Sequence, residues 1–170
     1  MVYLTRRLLE YTGLNPERLR IEWVNASEGI RFAEVVNDFT NKLRELGPLG
    51  VSEGIDKDEL KLNLEAAKSI VPYLKLVERE RLRVRFNTKE EYAEFFASEE
   101  VGRLLKELIG DKLAISQILL LLRERPLSTG EIADILGLSP SDVLKHLKSS
   151  TREGLVRFDE SQRRFMPALE

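Results

Sequence analysis

The sequence predicts an α+β chain, mostly helical, in three stretches: a helix-strand-helix fragment of an α/β domain over residues 1–49, a helical connecting region with one strand over residues 50–110, and a helix-turn-helix with a two-stranded wing over residues 111–170. Three observations predict it. Apolar residues recur at helical spacing through most of the chain. That period gives way to strict alternation at residues 19–24 and 82–86, as half-buried strands require. Near the end, two serine-led helical stretches flank the tight turn Gly137-Leu138-Ser139, and two short apolar runs with a polar tip between them follow.

Taken in order, Leu4, Leu8, Leu9 and Tyr11 form the stripe of an opening helix, which Gly13 is placed to end with positive φ. Asn15-Pro16 makes a turn, and Leu19, Ile21 and Trp23 then alternate with Arg20, Glu22 and Val24 as a strand. From Glu28 the helical period returns, with Phe32, Val35, Val36, Phe39, Leu43 and Leu46 on one face until Gly47-Pro48. Residues 50–56 read as a linker, having two glycines, a serine and acidic groups but no sustained apolar period. Leu60, Leu64, Ala67 and Val71 begin another helix, which Pro72 is expected to kink or restart. Leu82, Val84 and Phe86 alternate with Arg81, Arg83 and Arg85, so that strand has one basic face, read as a solvated face that discourages edge aggregation. Thr88 with Glu91 forms a capping box for a helix burying Tyr92, Phe95 and Phe96. Ser98 caps the next, whose Val101, Leu104, Leu105, Leu108 and Ile109 run to Gly110.

The last stretch carries the densest local signals. Residues 112–123 form an apolar-rich helix that Pro126 stops, and Ser128 with Glu131 makes a second capping box. Ile132, Ala133, Ile135 and Leu136 supply the core side of the short helix that follows. Ser139 is an N-cap, Pro140 takes the first helical position and Asp142 suits the positive end of the dipole. Val143 and Leu147 face inward, and Gly154 closes the helix. Residues 155–158 and 163–166 are the strands of the wing, around Asp159-Glu160-Ser161-Gln162.

Composition excludes several functions. Hydrophobic residues make up 42% and charged residues 33%, but the formal charge is only −2, so no global field draws the chain to nucleic acid or an anionic membrane. Without cysteine it can ligate no ordinary iron–sulfur cluster, and His146, the one histidine, has no second ligand for zinc. There is no Gly-x-Ser-x-Gly elbow, no GxGxxG and no Walker loop. Glu90, Glu91, Glu94, Glu99 and Glu100 belong to helix starts, where carboxylates stabilise the dipole rather than serve as catalytic pairs. No catalytic, cofactor-binding or metal residue is therefore assigned. The apolar runs fall short of the roughly 20 residues that span a bilayer, and no signal-peptide pattern opens the sequence, so a soluble cytoplasmic protein is expected.

The capped helix pair and wing resemble the winged helix-turn-helix of the arsenic-repressor and multiple-antibiotic-resistance-regulator families. The resemblance implies DNA contacts at Ser141, Lys145, His146 and Lys148 on the second helix and at Arg163 and Arg164 on the wing. Two departures stand out. Ser150 occupies a place where such repressors commonly have a buried leucine, and Glu131, Asp134, Asp142, Glu153, Asp159, Glu160 and Glu170 offset the cations. DNA readers carry a clustered basic footprint, so binding here is expected to be weak and unspecific.

Residues 13–48, GLNPERLRIEWVNASEGIRFAEVVNDFTNKLRELGP, resemble the carboxyl end of the methyl-viologen-reducing hydrogenase delta-subunit family. The pattern is a strand ending in Glu22-Trp23-Val24, then Ala26-Ser27-Glu28-Gly29 and a helix with Phe32-Ala33-Glu34-Val35-Val36-Asn37. That family implies a small α/β iron–sulfur protein relaying electrons between a hydrogenase, or another dehydrogenase, and a flavin-containing heterodisulfide-reductase-like subunit. Its cysteines lie upstream of this stretch, so no ligand carries over, and the iron–sulfur cluster and flavin are implied only in partner subunits. The ELKLNLEAAK segment at residues 59–68 and the terminal winged helix look like extensions found on some members.

Together the resemblances imply a non-catalytic accessory subunit or segment of a hydrogenase/heterodisulfide-reductase-type electron-transfer complex, its winged helix used for protein docking. The alternative is a winged-helix DNA-binding transcriptional regulator. A lone strand leaves its backbone groups unpaired, so residues 19–24 are expected to pair with residues 82–86 or with another chain. The implied partner is a cysteine-bearing iron–sulfur or flavin subunit, or a second copy. Trp23, Ser27 and Glu28 are the candidate partner-binding residues.

Overall fold

The computed structural model describes residues 2–82, 84 and 87–168, and the chain divides into two compact units, Met1–Lys61 and Leu62–Glu170. The division falls inside a helix, not at residues 50–56 or at Gly110, where the sequence suggested breaks.

The first unit opens with α1, Val2–Tyr11. Beyond it Leu14 N–H donates back to the Leu9 carbonyl around Gly13 at φ 77°, so that Leu4, Thr12 and Leu14 are buried. A 3-10 turn, Pro16–Arg18, is capped by the Asn15 side chain. The 18-residue helix α2, Gly29–Leu46, follows, and none of its residues is buried. Residues 50–56 are folded rather than a linker: Ile55 N–H donates to the Gly50 carbonyl, and Gly50 at φ 83° lies so close to Leu60 that a Cβ would come within 3.0 Å of its Cδ2.

Residues 19–24 do not form a ladder among the described residues, whose one sheet lies elsewhere. The sequence period was sound as alternation but was oriented the other way. Arg20 bonds to Glu22 and to Asp38 on α2, so Ile21 and Trp23 are the residues left exposed. Of the other expected strand, Arg83, Arg85 and Phe86 and the side chain of Arg81 lie outside the described residues. Leu82 is buried, and Val84 N–H donates to its carbonyl.

In the second unit α3, Lys57–Arg81, enters from the first and runs through Pro72 without ending. Then come α4, Lys89–Ala97, and α5, Glu99–Leu105, opened by the Thr88–Glu91 box and by Ser98. A π-helical turn, Lys106–Asp111, joins α5 to α6, Lys112–Glu124, so Gly110 lies within continuous helix. Such a turn absorbs an added residue without breaking the helix, and here Leu108 and Ile109 stay buried. Gln117 on α6 donates to the buried Asn63 of α3, near a Ser69–Ser116 contact between the same two helices.

The winged helix closes the chain. Its parts are α7, Thr129–Leu136, α8, Pro140–Arg152, and the antiparallel strands β1, Val156–Asp159, and β2, Arg164–Pro167, with Val156 opposite Pro167. Leu127 bridges to Phe165 as a rudimentary third strand. Ile118, Leu122, Leu127, Ile132, Ala133, Val143, Leu147 and Val156 form one buried cluster beneath them.

Candidate functional site

Two surfaces carry the residues that the sequence singles out. The first is the exposed face of α8. Ser139 accepts from Asp142 N–H, and Gly137 takes the left-handed conformation at φ 62°, so the turn aims α8 away from α7 as in a helix-turn-helix. Along α8, Ser141, Lys145, Lys148 and Arg152 recur at helical spacing and are exposed. Arg152 belongs to that row and was missed, although the spacing from Ser141 could have found it. His146 faces the other way and is 7% exposed. Its Nε2 lies 4.0 Å from Asp111 of the π-helical turn, and burial holds the imidazole below its ordinary pKa against the pull of that carboxylate. Asp111 also pairs with Lys145 at 3.5 Å.

On the wing, Arg164 is committed to the fold. It donates to the Pro126 carbonyl and pairs with Glu131 at 2.9 Å, bracing β2 against the capping box of α7. Arg163 sits at the end of the polar tip in a left-handed conformation, φ 53°, after Asp159 has accepted from Ser161 and Gln162 N–H groups. Of the six residues expected to meet DNA, Ser141, Lys145 and Lys148 are exposed, as is Arg163 at the wing tip, while His146 is internal and Arg164 is tied down.

The second surface belongs to the first unit. Trp23 is 69% exposed, Ile21 45%, Phe32 59% and Val36 44%. Phe32 and Val36 stand one turn apart on α2, and the apolar stripe continues through Phe39 and Leu43. Ser27 sits at the bend before α2. Glu28 turns back to accept from Asn25 N–H at 2.8 Å, which pins that bend between the extended segment and α2 and lowers its pKa. This unit is held from the opposite end by Arg18, which local sequence gave no reason to single out. Its guanidinium donates to the Leu46, Gly47 and Pro48 carbonyls, to Ser52 and to both oxygens of Glu53, so it closes the C-terminus of α2. That pairing brings the Glu53 carboxyl down to about 2.

Among the described residues no group of three or more His, Asp or Glu side chains could hold a metal, and no helix is long and apolar enough to cross a membrane. The geometry defines a helix-turn-helix with a wing, together with a helical segment that exposes an apolar face.

Comparison with known proteins finds a match for each end of the chain. Residues 1–47 match the family described as methyl-viologen-reducing hydrogenase, delta subunit, and residues 116–157 the family described as bacterial regulatory protein, arsR family. The N-terminal part is similar to the iron-sulfur subunit of the F420-non-reducing hydrogenase of Archaeoglobus profundus, 49% identical over 45 residues, which are 26% of this chain and 33% of that protein. It is also similar to one subunit of the ferredoxin/F(420)H(2)-dependent CoB-CoM heterodisulfide reductase of Methanosarcina acetivorans, 40% identical over 47 residues, 28% of this chain and 6% of that protein. The iron-sulfur subunit of the vhc F420-non-reducing hydrogenase of Methanococcus voltae gives 36% over 50 residues, 29% and 35%. The chain thus spans about a third of these hydrogenase relatives and far less of the reductase relative. No solved structure matches.

Proposed function

We propose that this chain is a non-catalytic accessory subunit or segment of a hydrogenase/heterodisulfide-reductase-type electron-transfer complex, in which the winged helix docks protein rather than reading DNA. The observation that carries this reading is the similarity of residues 1–47 to segments of hydrogenase iron-sulfur subunits and of a heterodisulfide reductase. Cluster and flavin belong, on this reading, to partner subunits. Two of the six expected DNA contacts are withdrawn, since His146 is buried and Arg164 is held by Glu131, and this favours docking over DNA reading. Affinity purification of the chain from its native source tests the proposal. Co-elution of an iron–sulfur or flavin subunit in fixed ratio is expected, and recovery without any redox subunit overturns it.

The second reading, a DNA-binding regulator, draws on the intact caps and the exposed row of Ser141, Lys145, Lys148 and Arg152. A binding titration at physiological salt separates the two. Weak, sequence-indifferent binding is expected, whereas a nanomolar, sequence-selective complex lost on Lys145→Glu favours the regulator.

A further inference from the structure

From the exposed face of α8 we infer that the winged helix takes an acidic, amphipathic helix of another protein, laid along its row of Lys145, Lys148 and Arg152. The inference rests on the reading that this module docks protein, and adds to it the chemistry of what is docked.

The row is a property of α8 itself. Lys145, Lys148 and Arg152 are exposed and stand three and four residues apart, so their charges share one helix face and span about 10 Å along its axis. No acidic residue lies between Lys145 and Arg152. Lys145 meets Asp111 only at 3.5 Å and its side chain is 69% exposed, so its charge still faces solvent. Glu153, the next carboxylate along the chain, accepts from the Ser149 hydroxyl. Carboxylates three and four residues apart on a second helix repeat the spacing of the row and meet it charge for charge.

Charge placement separates such a helix from a duplex. A helix-turn-helix reads base edges with the first residues of its second helix. In α8 that first turn holds Pro140, Ser141 and Asp142, and the exposed Asp142 carboxylate accepts from the Ser139 hydroxyl. The wing, the other expected contact, carries Asp159 and Glu160 at its tip beside Arg163. Carboxylates therefore stand where phosphates approach, and the cations stand in the second half of α8. Apolar side chains complete the fit. Leu144, one turn before Lys148, and Leu155, just after Gly154, flank the row in sequence and are exposed. Leucines on an amphipathic helix cover them, which phosphates cannot do.

The full chain is titrated at physiological salt with a stapled helical peptide that carries glutamates on one face and leucines beside them. The same peptide with lysine for every glutamate, and a random-sequence DNA duplex, are titrated alongside. We expect the acidic peptide to bind at least about tenfold more tightly than either. Lys148→Glu and Leu144→Ser should each weaken it roughly tenfold, whereas Lys68→Glu, the same charge change at an exposed position of α3, should leave it unchanged. Lys148→Gln, which removes the charge without reversing it near the helix end, should repeat the loss if Lys148→Glu lowers the melting temperature. No binding of the acidic peptide, equal or tighter binding of the basic one, or binding indifferent to Lys148 and Leu144 overturns the inference. Tighter capture of the duplex, lost with the same substitutions, overturns it too and makes the row a nucleic-acid contact. The accessory-subunit reading is judged apart from this, because a redox subunit that co-elutes from the native source keeps that reading in place even where the peptide fails.

Discussion

Ser150 lies 1% exposed on α8 beside the winged-helix core, and its hydroxyl has no partner among the described residues. A buried, unsatisfied hydroxyl costs about 1–3 kcal/mol, so Ser150→Ala is expected to stabilise the domain by about 1 kcal/mol, read as a rise in melting temperature. His146, four residues before it, has the opposite sensitivity. Because its folded pKa is lowered from 6.5, the folded state binds fewer protons than the unfolded one, and stability must fall as pH drops through the unfolded value near 6.5. Thermal unfolding followed from neutral to mildly acidic pH should show this decline in the native chain and a flatter profile in His146→Leu. A decline of equal depth in the variant rules out the imidazole as its source.

At the scale of elements, the closure of α2 depends on one ion pair. Arg18 and Glu53 side chains are each 8% exposed, and the pair joins the Pro16–Arg18 turn to residues 46–53. Removing one member of such a pair strands the other, typically at about 3–5 kcal/mol, in a unit whose buried apolar side chains are few. Arg18→Ala is therefore expected to melt the first unit selectively, lowering far-ultraviolet helicity while amide exchange in the winged helix stays protected. The pH dependence follows the lowered carboxyl. Glu53 contributes its full stabilisation above the ordinary value of 4.5 and loses it as pH falls toward about 2, so acid should unfold this unit across that window. A transition completed before pH falls to 4.5 contradicts the assignment.

For the molecule as a whole, the reading of an accessory chain predicts that any cofactor arrives with a partner. The purified chain should contain no stoichiometric iron or flavin, because it has no thiolate and one inward-facing imidazole. Elemental analysis and an absorption spectrum check this, and a flavin band in the isolated chain sinks it. The two units also differ in self-sufficiency. The winged helix has a contiguous core of eight buried residues, whereas α2 contributes no buried residue at all. Added denaturant is accordingly expected to unfold Met1–Lys61 first, with the winged helix surviving to higher concentration.

The winged helix was legible because its signals are local. Ser128 with Glu131, Ser139 before Pro140, and Gly137 act over three or four residues, and each formed where the spacing put it. The sequence likewise determined the absence of cysteine and the resemblance of both ends to known families. Tertiary structure decided what depends on distant neighbours. Alternation at residues 19–24 cannot say which side turns inward; Asp38, eighteen positions from Arg20, chose the charged side and left Trp23 in solvent. Helical spacing placed His146 on a helix without revealing that Asp111 and burial claim it. Arg164 reads as a free wing cation until Glu131, thirty-three residues earlier, is found against it. Gly110 signals a helix end by propensity, yet the packing of Leu108 and Ile109 carries the helix past it through a π turn. Caps and periods are set by a few adjacent residues, whereas facing, burial and pairing are settled by segments far apart in the chain.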